Sequence, residues 1–204
     1  MNNLRKAKTA TLEMSIVTRA ESSTLTRSID DVLRITKDWP LFPQDDRGLY
    51  HIVVSLIISQ RIRFSVGQAI RSRIYQTLAE ASLNGVAQLT EEQRVACGIN
   101  KQKWRIIQNF DAAWRTGDHH AALHSTGISS WTRQCALIMS GDLSTGFITS
   151  DLAVRKELGR LLCLERTPSA AMCARLTDSL SPHQGAELFS KLWQRSRTPQ
   201  AKHD

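Results

Sequence analysis

Apolar residues recur three and four apart along most of this chain, and no run of alternating apolar and polar positions repeats. That spacing lines one face of a helix, whereas a half-buried strand needs alternation. Residues 28–39 carry it and stop before Pro40, because the residue preceding a proline is pushed out of helical backbone. Residues 41–47 hold Pro43, Asp45 and Asp46 and read as a loop. In 49–59 the pattern changes, with Leu49, Tyr50, Ile52, Val53, Val54, Leu56, Ile57 and Ile58 leaving almost no polar face. Length and polar flanks favour a buried central helix over a strand. Helical spacing resumes in 64–78, with arginines on the outer face, and in 102–116, with Trp104, Ile106, Ile107, Phe110 and Trp114 inward. Thr90 and Gln93 make a capping-box start. Segments 118–124, 131–139, 151–163, 169–180 and 182–195 complete an all-α reading of nine or ten helices, without an internal repeat.

Composition narrows the function. The chain has 204 residues, 41% of them hydrophobic, enough for one good core. The formal charge of +8 favours a polyanionic partner, and nucleic acid is the commonest one. Cys97, Cys135, Cys163 and Cys173 have no spacing that suits zinc or an iron–sulfur cluster, so they read as reduced, mostly buried thiols. No apolar run is long enough to span a membrane, and no secretion signal is present. Residues 1–22 are rich in Lys, Arg, Thr and Ser and read as a disordered basic arm. Glu13 and Glu21 argue against a transit peptide. Residues 23–195 form the helical domain and 196–204 a frayed tail.

Two helix starts carry the candidate chemistry. The first follows the turn Ser125-Thr126-Gly127-Ile128-Ser129-Ser130 and leads into Trp131. Gly127 permits a tight reversal and a close approach to another backbone. The N–H groups and dipole of the helix that follows favour a phosphate. An ordinary helix–helix turn reads the same way. Twenty residues beyond Trp131, Asp151 opens the next helix. Aspartate is a favoured N-cap, and a carboxylate there is also placed for catalysis. His119, His120 and His124 form no metal set with a carboxylate or thiol, and surface positions suit them better.

These features, in this order, resemble the helix-hairpin-helix (HhH-GPD) DNA glycosylases, closest to the alkylpurine, or 3-methyladenine DNA glycosylase II, group. The resemblance spans about residues 49–193. The family turn is like Leu-Pro-Gly-Val-Gly; here Thr126 replaces the proline, and only the first glycine is kept, with Ser129 at the second. The resemblance implies a two-lobed all-α fold with a DNA-binding cleft between the lobes. Its N-terminal β domain, carried by some members, is not expected before Leu49.

The resemblance also implies roles. Asp151 matches the catalytic aspartate, which stabilises positive charge on the sugar or activates water. Strand-cutting members carry a nucleophilic lysine at the hairpin's end; Trp131 stands there, which implies a monofunctional enzyme without lyase activity. Trp131 and Trp193 match walls of the base pocket, where an electron-poor alkylated base stacks on an electron-rich ring; core packing is the other reading of both. Cys135 takes a pocket position that is often aromatic. Ser59-Gln60 resembles the segment that fills the gap left by a flipped base, with Gln60 or Arg61 as the wedge. Gly127, Ser129, Ser130, Thr132, Lys101 and Lys103 would contact the DNA backbone. A monovalent cation on the carbonyls of Leu123, Ser125 and Ile128 is implied, with no iron–sulfur cluster and no side-chain metal site.

The expectation is therefore a base-excision repair glycosylase acting on damaged, alkylated purines in double-stranded DNA. It would be a monomer, cytoplasmic or nucleoid-associated in a bacterium and nuclear in a eukaryote. Excision of deaminated or oxidised bases, or DNA binding without catalysis on the same fold, are the alternatives.

Overall fold

Among the described residues the helical periodicity resolves into ten α-helices and two short 3-10 turns, with no strand. The computed structural model describes residues 27–42 and 48–197. The expected basic arm, part of the 41–47 loop and the end of the chain from 198 lie outside them. The helices are α1 (Ile29–Ile35), α2 (Leu49–Ser59), α3 (Phe64–Glu80), α4 (Glu91–Cys97), α5 (Lys101–Trp114), α6 (His119–Leu123), α7 (Ser130–Met139), α8 (Leu152–Leu161), α9 (Ala170–Leu176) and α10 (Pro182–Arg197).

Capping accounts for most boundaries. Ser28 closes a capping box with Asp31, and Thr90 does so with Gln93. Asn100, Asp118, Ser129, Asp151 and Ser169 each accept a backbone N–H as N-caps. Several ends differ from the sequence reading, those of α1, α9 and α10 among them. Helix α1 stops at Ile35 rather than 39, and α9 at Leu176 rather than 180. In both a threonine follows, and its hydroxyl turns back on the preceding turn: Thr36 donates to the Leu33 carbonyl and Thr177 to that of Cys173. Such local bonds compete with helix continuation. Helix α10 instead runs past 195 to Arg197.

Helix α2 is the centre. Ile52, Val53, Val54, Leu56, Ile57 and Ile58 are all buried, so it is apolar on nearly every side. It packs against α3, α5 and α7. The segment after α1 returns to the last helix, where the backbone N–H of Phe42 donates to Ser190 Oγ at 2.6 Å and its ring meets Phe189 and Trp193. Helix α10 also packs along α8. The core therefore joins the middle of the chain to both of its described ends. The four cysteines are unpaired, and all but Cys163 are buried. No helix among the described residues is long and apolar enough to cross a membrane.

Candidate active site

The turn between α6 and α7 closes by a bond from the Ile128 N–H to the Ser125 carbonyl, 3.1 Å. Gly127 adopts a φ of +97°, and a Cβ there would stand 2.5 Å from Ile106 Cγ1 on α5. Glycine is required twice over, by backbone conformation and by the close approach of the turn to α5. Lys101, Gln102 and Arg105 of α5 face Thr126 and Gly127 across an open groove. Two exposed cations beside a helix start are an arrangement that suits a phosphate.

Ser129 caps α7, its Oγ accepting the Thr132 N–H at 3.1 Å. Thr132 is fully buried, and its hydroxyl bonds to Ser129 Oγ at 2.8 Å and accepts from Gln60 Nε2 at 2.6 Å. The structure thus gives Thr132 and Gln60 to a neutral clasp between the starts of α7 and the end of α2. The backbone N–H groups of Ser130 and Trp131 belong to the first turn of α7, where the helix itself offers them no acceptor. Next to Gln60, Arg61 is exposed and holds a left-handed φ of +55°, a backbone that costs a non-glycine residue about 1–2 kcal/mol. Of the two wedge candidates, Arg61 is the one that projects.

At the next helix start, Asp151 Oδ1 accepts the N–H groups of Ala153 at 2.8 Å and Val154 at 3.0 Å. Its other oxygen accepts the indole N–H of Trp131 at 2.9 Å. The two residues singled out in the sequence are therefore bonded to each other. Three donors fix the carboxylate without neutralising it, and it is neither buried nor fully exposed.

The remaining candidates spread around this pair. Cys135, one turn along α7 from Trp131, is fully buried. Burial, then the charge of Asp151, pushes its thiol well above the usual range. It lies under the site rather than lining an open surface. Trp193 is 8% exposed, with the Phe42 ring against it at 4.3 Å and the Arg197 guanidinium over its face at 3.4 Å. Lys103 donates through Nζ to the Ile58 carbonyl near the end of α2, and burial lowers its pKa. That bond gives it a task inside the protein, whereas Lys101 stays exposed.

The cation implied at the turn meets a different arrangement. Arg133 Nη1 donates to the Leu123 carbonyl at 3.4 Å, and the Ser125 carbonyl already receives the Ile128 N–H. Arg133 and the Ile128 N–H thus already engage two of the three carbonyls, those of Leu123 and Ser125. Among the described residues no group of three or more His, Cys, Asp or Glu is placed to hold a metal.

Sequence reasoning missed Arg133, Arg105 and Arg197. Arg197 carried a usable signal, since it stands four residues after Trp193 and shares its helix face. It lies in the stretch that composition alone reads as a frayed tail.

No family model matches the chain, and no curated protein does. Solved structures do. A Schizosaccharomyces pombe 3-methyladenine DNA glycosylase in complex with abasic DNA superposes with a TM-score of 0.64 at 17% identity, over 83% of this chain and 91% of that one. A 3-methyladenine DNA glycosylase from Archaeoglobus fulgidus gives 0.63 at 18% identity, over 82% of this chain; the chain spans 66% of its length. The chain has the helical fold of these glycosylases.

Proposed function

We propose that this protein is a monofunctional DNA glycosylase that removes damaged, alkylated purines from duplex DNA. The observation that carries the reading is the bond between Trp131 and Asp151 on a fold shared with two 3-methyladenine DNA glycosylases. An indole and an anchored carboxylate side by side suit a reaction that flips a base and leaves positive charge on its sugar.

In this reading the hairpin and the Lys101 and Arg105 groove hold the backbone, with Arg61 entering the stack. The bond from sugar C1′ to the purine nitrogen breaks and its electron pair leaves with the base. The Asp151 carboxylate faces the positive charge that develops on the sugar. Water adds to C1′ and loses a proton, leaving an abasic site. Trp131 offers no amine, so no Schiff base forms at its position and the strand stays intact.

The test uses duplexes carrying single lesions, among them alkylated purines, hypoxanthine, uracil and 8-oxoguanine, analysed with and without hot alkali. Breaks that need alkali, occur at alkylated purines and vanish in Asp151→Asn are expected. Breaks without alkali overturn the monofunctional assignment. Release only of hypoxanthine, uracil or 8-oxoguanine moves the substrate to deaminated or oxidised bases. Tight binding to abasic duplex with no base released from any lesion makes this a DNA-binding protein without catalysis.

A further inference from the structure

Arg197 lies one turn beyond Trp193 on α10, and its guanidinium carbon stands 3.4 Å from the indole centroid. Phe42 packs against the same indole with its ring tilted by 67°. The aromatic face expected to receive a flipped base thus already carries a planar cation of the protein itself. Helix α10 packs along α8, which Asp151 caps, and the charges of Asp151, Cys135 and Arg71 all act on the Arg197 guanidinium. Burial pushes the guanidinium down to about 10, with Arg71 adding to the effect and Asp151 opposing it. It therefore still carries its charge at neutral pH.

Two kinds of modified purine meet this cation differently. A neutral ring stacks on a guanidinium plane much as the guanidinium stacks on the indole. A ring alkylated at a nitrogen that fixes positive charge is drawn to a bare indole but repelled by the cation above it. In a partly desolvated site the like-charge term is large compared with its value in water.

We infer that Arg197 is a specificity-determining residue of this pocket, making it accept electrically neutral modified purines and turn away those with a positive ring charge. The inference rests on the reading of the site as a base pocket. It narrows the alkylated purines to uncharged ring adducts such as an etheno-bridged adenine.

The experiment compares the full-length protein with Arg197→Gln and Arg197→Lys. Single-turnover release is measured from duplexes carrying 1,N6-ethenoadenine, which is neutral, or 7-methylguanine, which is cationic, with the enzyme-free rate subtracted. The ratio of the 7-methylguanine rate to the ethenoadenine rate is expected to rise on the order of tenfold in Arg197→Gln and to stay near wild type in Arg197→Lys. A ratio within about twofold of wild type in Arg197→Gln overturns the inference. An equal rise in both variants also overturns it, because packing and not charge would then govern the choice. A second arm needs no catalysis: affinities are measured for duplexes bearing a cationic pyrrolidine abasic analogue or neutral tetrahydrofuran. Arg197→Gln is expected to favour the pyrrolidine duplex by a similar factor, and an unchanged ratio counts against the inference. If no variant releases any base, the glycosylase reading falls, while the binding arm still decides the role of Arg197.

Discussion

At the start of α7 the Ser129 hydroxyl receives the N–H of Thr132; at the start of α8 the Asp151 carboxylate receives those of Ala153 and Val154. Both are side-chain N-caps, and both reach a residue of another helix or turn. Ser129 does so through Thr132 to Gln60, in a chain of neutral groups. Asp151 does so directly, accepting the Trp131 indole N–H. The difference is one charge. The neutral clasp stabilises a helix start whose first-turn N–H groups suit a phosphate of any sequence. The charged cap keeps a carboxylate oriented beside an aromatic ring, where it can act on developing positive charge. A cap is thus chemically silent or useful according to what its spare lone pairs face.

The largest effect that separates the two starts is expected from Asp151→Asn. The amide oxygen can still cap α8, which turns the NH2 group toward the Trp131 N–H, donor against donor. Base release in single-turnover assays is expected to fall by about 100-fold or more, while urea unfolding shows a loss of only about 1 kcal/mol. A catalytic loss smaller than about threefold would return Asp151 to the role of a simple cap.

Gly127→Ala tests the other start through the backbone. The added Cβ meets Ile106 at 2.5 Å with φ at +97°, and a stability loss of about 2 kcal/mol is expected by denaturant unfolding. Weaker binding to undamaged duplex should accompany it.

Trp131→Phe keeps a ring and removes the indole N–H from Asp151. Unfolding measurements are expected to show a loss of about 1 kcal/mol. Combined with Asp151→Asn, the loss should be less than additive by a similar amount, about 1 kcal/mol. Additive effects would show that the bond contributes nothing to stability. Ser129→Ala removes the neutral cap and should cost about 1 kcal/mol, with the base-release step unchanged once DNA is saturating. The smallest effect concerns the turn's carbonyls. With Arg133 already donating to Leu123, replacing potassium by tetramethylammonium at constant ionic strength should alter duplex affinity by less than about twofold. A larger drop would show that a small cation binds there after all.

Much of this was legible before any coordinates. The spacing of apolar residues marked the helices, the unbroken apolar run of 49–59 marked the buried one, and Asp151 opened a helix as its position suggested. These properties are short-range: a helix face repeats every few residues, and a cap acts on the N–H groups two or three residues ahead. Sequence also pointed to Gly127, since few other residues suit a tight reversal.

Contacts between elements belong to the tertiary structure. Only packing brought Trp131 to Asp151, Gln60 to Thr132 and the Lys103 ammonium to the Ile58 carbonyl. Their partners lie 20, 72 and 45 residues apart. Only packing covered Trp193 with Phe42 from the far end of the chain, and left Cys135 buried. The physical reason is that an N–H or a ring carries no sign in sequence of which acceptor or neighbour will stand opposite. That is decided by how the apolar faces of α2, α7, α8 and α10 come together when they leave water.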